Sequence, residues 1–208
     1  MSDESSTEIS FKTYNPFLEF EKVQELWLDL EKRSTHSYFT SWGWVSVWIK
    51  SLPPDSKITL HVAYQNQRPV VTFFLGERKS RKYKFLPTVS FALNATAYHY
   101  YDNLYIEYNS ILYDSSAKVN FNAILRYLLN LSWDELLLPG VTHTFAADFR
   151  LLEPNKSYYT LLTEDTNSFF VNLQKIRDDG MNFLKSLSSN RRSQIRRSLK
   201  QYQTAGNI

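Results

Sequence analysis

Three groups of side chains in this sequence combine residue types and spacings that could do chemistry. The first is Ala97-Tyr98-His99-Tyr100-Tyr101-Asp102, where an imidazole, three phenols and a carboxylate stand together. His99 or Asp102 has the chemistry of a general base for an amine, and the group sits at an element boundary, where sites are often built. The same residues equally suit a strand end whose phenols bond locally, with Asp102-Asn103 making a turn.

The second group is aromatic: Phe39-Thr-Ser-Trp42-Gly-Trp44-Val-Ser-Val-Trp48. Trp44 and Trp48 share one helical face at i,i+4, while Trp42 points elsewhere. Indoles so placed serve as core anchors or line a ligand groove; Trp42, Trp44 and Tyr98 are the groove candidates. The third group is a basic helix near the C-terminal end, with Arg191, Arg192, Arg196, Arg197 and Lys200 around a narrow stripe of Ile195, Leu199 and Tyr202. After Asp179 the chain has six basic residues and no acidic one, so of the net charge of +3 this segment holds +6 and the rest of the chain is net acidic at −3. That distribution reads as a local anion contact, to phosphates of a cofactor or of nucleic acid, or as a solvated face.

Missing residues exclude other chemistries. With no cysteine there is no disulfide, thiolate nucleophile or Cys-ligated zinc. His36, His61, His99 and His143 form no HxH or HExxH pair, so no metal site is expected. The five glycines, Gly43, Gly76, Gly140, Gly180 and Gly206, are too scattered for a phosphate-cradling loop, and no GxSxG turn exists. The polar, acidic start is unlike a targeting peptide, and no apolar run approaches the ~20 residues that span a bilayer. A cytoplasmic protein is the expectation.

These groups need elements to position them. Asn15-Pro16 predicts a helix start, with Phe20, Val23, Leu26, Trp27 and Leu30 at helical spacing up to Arg33. Ser41 opens a second helix that Pro53-Pro54 stops. Residues 58–64 and 69–76 read as a hairpin, 83–86 and 104–108 as further strands. A helix follows Ser115/Ser116, with Val119, Phe121, Ile124, Leu125, Leu128 and Leu129 forming its apolar face. Asp134–Leu138 reads as a buried strand of a mixed sheet. Residues 158–162 and 169–171 read as weaker strands, 181–187 as helical, and a last helix runs from Ser189/Asn190 to Gly206. This order is α+β rather than a regular β-α-β alternation. The expected organisation is a disordered tail over 1–14, a domain over 15–187 and a basic connecting helix over 188–208.

Taken in order, the early amphipathic helix, the Phe39…Trp42-x-Trp44…Trp48 group, the hairpin, Tyr101-Asp102-x-Leu104, Trp133-Asp134-x-Leu136-x-Leu138 and the Arg-rich helix closing at Gly206 resemble the N-terminal portion of CelD-type (BcsL-like) GNAT acetyltransferases, relatives of the FemAB-like tandem-GNAT group. The resemblance implies a mixed, mostly antiparallel sheet flanked by helices, the N-terminal unit of a tandem pair. It also implies transfer of an acyl group from acetyl-CoA or another acyl-CoA to an amine, with no metal. On that reading this chain shapes the side that receives a small-molecule, sugar or peptide amine, is inactive alone, and lacks a second GNAT unit that would complete the acyl-CoA site. Tyr101 and Asp102 carry over as site residues beside His99, and Arg191, Arg192 and Arg196 as cofactor contacts. Two other classes stay open: a non-catalytic module that binds sugar or peptide in an aromatic groove, and a nucleic-acid contact through the basic helix, which the acidic body disfavours.

Overall fold

The computed structural model describes residues 9–103, 106–119, 121–150 (backbone alone for 148–150), 159–166, 171–180 and 182–206. It resolves into two compact units, Met1–Thr160 and Leu161–Ile208, so the division falls before residue 161, whereas the sequence suggested 187/188.

The first unit is a six-stranded sheet with helices on both faces. Strands β1 (Ile9–Tyr14), β2 (Ile58–Gln65), β3 (Arg68–Lys82) and β4 (Leu86–Leu93) pair antiparallel in that order. β6 (Glu135–Leu137) then joins β4 in parallel, Ser90 opposite Glu135 and Ala92 opposite Leu137. β5 (Leu112–Tyr113) pairs with β3 at Val71 and Thr72, on the line that β4 has just left. The architecture is thus α+β with a mixed, mostly antiparallel sheet flanked by helices.

Alternation along the central strands divides the core. Leu60, Val62 and Phe74 face α1 (Phe20–Glu31) and α2 (Trp42–Ser51), where Val23, Trp27, Leu30, Val45 and Ile49 are buried. Ala63, Val71, Phe73 and Leu75 face α3 (Phe121–Leu129), which contributes Ile124, Leu125 and Leu128. Side chains on a strand point alternately to opposite faces, so one run of apolar residues can feed two cores. Trp27 anchors the first of them: it is fully buried, stacks near Phe74 with ring centroids 5.2 Å apart, and donates its indole N–H to the Thr40 carbonyl. Asp114 ties the sheet to α1. Its carboxylate is fully buried and pairs with Arg33 and Arg68. Burial alone would raise this carboxyl; the hydroxyl and N–H of Ser116, with the two guanidinium groups, outweigh that and hold it below the usual carboxylate range.

Four expectations need correction. Residues 9–14 are strand β1, paired residue by residue with β2, not part of a disordered tail; residues 1–8 lie outside the described set. The Asn15 side chain caps a turn at Phe17, and the helix proper begins at Phe20. β3 runs on to Lys82, so residues 83–85 are a turn rather than strand, and β4 follows it. Residues 106–108 are not strand, and 104–105 lie outside the described residues. The helix α4 (His143–Arg150) was not anticipated.

The second unit holds α5 (Leu173–Asp178), α6 (Phe183–Ser186) and α7 (Ser189–Ala205). The side chains of Asn172 and Asn182 cap the two short helices by accepting from the N–H of Lys175 and of Leu184. Residues 159–166 carry no regular structure, and the remainder of the strands expected at 158–162 and 169–171 falls partly outside the described residues. Among the described residues no helix is long and apolar enough to cross a membrane.

One buried group makes the fold's stability depend on pH. His61 on β2 is 7% exposed, stacks on Phe73, and shares a 2.7 Å hydrogen bond with the Tyr127 hydroxyl of α3. Burial pushes its imidazole down to about 4. The unfolded chain therefore takes up this proton below about 6.5 while the folded chain resists it, and stability is lost as pH falls from there towards 4. Between those limits we expect the wild type to lose up to about 3 kcal/mol more than His61→Gln in urea unfolding; parallel pH curves for the two proteins would rule this out.

Candidate functional site

β4 and β5 are two pieces of one strand line along β3, and residues 95–110 are an excursion between them. The chain leaves at Asn94, whose N–H still bonds the Phe74 carbonyl at 2.8 Å, and rejoins at Ile111. Asn94 takes a left-handed φ of 48°, which asparagine tolerates better than most residues. Its amide closes the mouth of the excursion: Oδ1 accepts from the Phe74 N–H, while Nδ2 donates to Asn109 Oδ1 and to the Ser110 carbonyl.

Asn109, fully buried, reaches further. Its Nδ2 donates to the carbonyls of Leu93 and Pro139, at 2.9 and 2.8 Å, and its N–H bonds the Gly140 carbonyl. Leu93 ends β4, and Pro139 lies just past the end of β6. The crevice beyond the carboxyl ends of parallel strands is where open sheets with helices on both faces bind ligands. Here Asn109 joins the two strand ends through the Leu93 and Pro139 carbonyls. Two glycines admit the excursion. A Cβ on Gly76 would lie 2.1 Å from the Ala95 carbonyl oxygen, and one on Gly140, at φ 63°, would lie 2.1 Å from that of Ile106.

The first sequence group lies on this excursion. Tyr98, His99, Tyr100 and Tyr101 are exposed, and Tyr101 meets both Tyr98 and Tyr100 edge-on. Asp102 is half-buried and turned inward: its Oδ1 accepts from both the N–H and the hydroxyl of Thr96, each at 2.8 Å. The carboxylate thereby closes a turn, and its N–H and that of Tyr101 both bond the Tyr98 carbonyl. Tyr98, Tyr100 and Tyr101 form one exposed ring cluster, His99 is exposed within the same stretch, and Asp102 braces the turn through Thr96.

The groove candidates on α2 have other neighbours. Trp42 packs on Phe20 at the edge of the first core. Trp44 meets Tyr38 and Phe39 edge-on, and its indole N–H is shielded from solvent without a hydrogen-bond partner among the described residues. Neither indole is in ring contact with Tyr98 among the described residues.

Arg191, Arg192 and Arg196 lie on α7 in the second unit, Arg191 and Arg196 exposed and Arg192 half-buried, with no ion pair among the described residues. Guanidinium groups left free this way suit phosphate or carboxylate. Among the described residues no group of three or more His, Asp or Glu side chains is placed to hold a metal ion.

No protein-family model matches this sequence, and no curated protein matches it. Solved structures with a related arrangement include a possible acetyltransferase from Clostridium difficile 630, 11% identical, covering 78% of this chain and 99% of its own, at a TM-score of 0.41. A predicted acetyltransferase with acetyl-CoA from Clostridium acetobutylicum is 9% identical over 81% of this chain and 98% of its own, at 0.40. An aminoglycoside N-acetyltransferase in complex with CoA is 10% identical over 79% and 97%, at 0.42. At these scores and identities the likeness assigns neither family nor activity to this chain.

Sequence reasoning missed Asn109, noted Asn94 only as a polar group upstream of the cluster, and gave Gly76 and Gly140 no structural role, because each matters through a contact distant in sequence. We expect Asn109→Ala to lower stability by about 2–4 kcal/mol, since it takes one acceptor from the Asn94 amide and removes the donor to the Leu93 and Pro139 carbonyls. Asn103→Ala, an exposed asparagine on the same loop with one hydrogen bond to the Tyr100 carbonyl, should cost less than about 1 kcal/mol. Equal losses in chemical denaturation would remove Asn109 from its bridging role.

Proposed function

We propose that this chain is an acyltransferase-type unit that presents the acceptor and does not itself hold the acyl thioester. One observation carries the reading: past the parallel ends of β4 and β6 the chain's own Asn109 donates to the Leu93 and Pro139 carbonyls. A thioester arm entering such a crevice needs free backbone donors and acceptors at the strand ends. Here the Leu93, Pro139 and Gly140 carbonyls already have partners. On this reading the acyl-CoA is held outside this chain. The sequence resemblance to the front unit of tandem GNAT proteins supports the same division of labour, with a second unit supplying the acyl-CoA.

On this reading the loop surface receives an amine. His99 is the base that takes its proton, with Tyr98 and Tyr101 beside it, and Asp102 holds the loop in shape through Thr96. Arg191, Arg192 and Arg196 on α7 are the proposed contacts for the phosphates of a CoA that a further GNAT-type domain would carry.

A second reading, a non-catalytic sugar- or peptide-binding module, is favoured by the edge-on cluster of Tyr38, Phe39 and Trp44, in which Tyr38 stands 69% exposed. Thermal shift measurements separate the two. We expect acetyl-CoA up to about 1 mM to leave the melting temperature of this chain unchanged, whereas a ligand present at a hundred times its dissociation constant stabilises by about 2.7 kcal/mol. A saturable rise with acetyl-CoA would overturn the proposal. A rise with oligosaccharides or peptides that Tyr38→Ala removes and His99→Ala leaves intact would establish the second reading instead.

A further inference from the structure

The β3–β4 hairpin continues past the rest of the sheet. β2 follows β3 only as far as Gly76, and β6 follows β4 only from Ser90. Asp134 grips the Val89 backbone on both its N–H and its carbonyl. Beyond Val89 the ribbon of residues 80–88 has no strand neighbour among the described residues and extends by about 10 Å, at ~3.3 Å per residue. Its end is apolar: Tyr83, Phe85 and Leu86 are 79%, 76% and 50% exposed.

The charge around that end is of one sign. Arg78, Lys79, Arg81, Lys82 and Lys84 follow one another with no acidic residue between Arg78 and Thr88. Lys79 pairs with Glu77 and Lys82 with Glu135. Arg81 and Lys84, both exposed, have no ion pair among the described residues. The turn also has an unusual backbone for its residues. Tyr83 and Lys84 hold left-handed φ angles of 51° and 69°, where glycine or asparagine would be the easy choice. Exposed aromatics at a strained tip do nothing for the isolated molecule, since a two-stranded ribbon is only marginally stable in water.

We propose that this hairpin tip docks on an anionic phospholipid surface. Tyr83, Phe85 and Leu86 enter the headgroup boundary, while Arg81 and Lys84 meet lipid phosphates. Aromatic rings with a polar end settle at that boundary, and basic residues near it gain from the negative surface potential. The length of the free ribbon matches the ~5–10 Å over which interfacial elements bury their apolar face. The alternative anion, a nucleic acid, fits less well: Tyr83 and Phe85 offer stacking faces, but a single projecting tip is not a groove that tracks a backbone.

The absence of cysteine makes a direct test simple. Phe85→Cys in the full chain, labelled with an environment-sensitive dye, should brighten with vesicles of phosphatidylcholine plus phosphatidylserine and not with phosphatidylcholine alone. The same dye on Ser51→Cys, at the exposed end of α2, should not respond. In flotation with the anionic vesicles, Arg81→Ser with Lys84→Ser should weaken binding roughly 25-fold, at about fivefold per cation. Tyr83→Ser with Phe85→Ser should weaken it about tenfold. All four side chains are exposed, and circular dichroism checks that the variants are folded. The proposal is overturned if the chain does not float, if it floats equally well with the tip changed, or if the dye at residue 85 stays silent while the basic α7 does the binding. Retention on single-stranded RNA that the vesicles cannot displace, and that the Arg81/Lys84 variant loses, would overturn it in favour of a nucleic-acid contact.

Discussion

The amide pair Asn94–Asn109 is the interaction on which the site depends. A strand line that is broken, sent out over residues 95–110 and then resumed leaves several backbone groups inside the protein with no ladder partner. Buried carbonyl and N–H groups without partners cost about 1–3 kcal/mol each, so the excursion exists only if something satisfies them together. Asparagine is suited to this because its side chain offers two donors and an acceptor in a planar amide, the geometry of a peptide group. Two such amides, bonded to one another, reach Phe74, Leu93, Ser110 and Pro139. They join β3, β4, the excursion and the end of β6 in one network. A fully satisfied network of this kind fixes a single geometry, and the exposed Tyr98–Tyr101 surface inherits that rigidity.

The same network explains why the fold and the proposed chemistry diverge. A parallel strand pair flanked by a helix ordinarily leaves its carboxyl ends open, and openness is what makes that place a binding site. Here Gly76 and Gly140 let the loop backbone come within contact distance of the sheet, so the opening is filled by peptide rather than left for a ligand. On the proposed reading the acceptor meets the outer face of the loop. That surface carries an imidazole and phenols rather than backbone donors, which suits a polar acceptor better than a phosphate or a thioester.

Much of the architecture was legible in the sequence because it rests on local signals. Ser41 caps α2 where expected, the β2–β3 turn falls at Gln65–Arg68, and the apolar periods of α1 and α3 mark the faces that are buried. What could not be read depended on partners far along the chain. Strand β1 has a polar, weakly alternating sequence, and only its ladder with β2 makes it a strand. The turn at Tyr83-Lys84 lacks the glycine or asparagine that would announce it, so the basic run reads as continuous strand or as loop. Asp102 illustrates the limit for the site. Its type and place suggested a base, yet Thr96, six residues earlier, engages its carboxylate in a turn.

Charge pairing separates the basic residues that hold the structure from those that can act outside it. Arg33 and Arg68 are committed to the buried Asp114, and Lys82 to Glu135, whose carboxyl is held below its usual range first of all by that lysine. Removing any of these would leave a partner short of its counter-charge within the fold. Arg81 and Lys84 on the hairpin, and Arg191, Arg192 and Arg196 on α7, have no such commitment among the described residues. No carboxylate among the described residues is committed to them, so an anionic surface or ligand displaces no ion pair described in the fold. In the sequence all these residues look alike, as one basic excess of +3. The structure divides them by partner: those on the hairpin tip and on α7 are left, among the described residues, without a carboxylate of the fold to hold them.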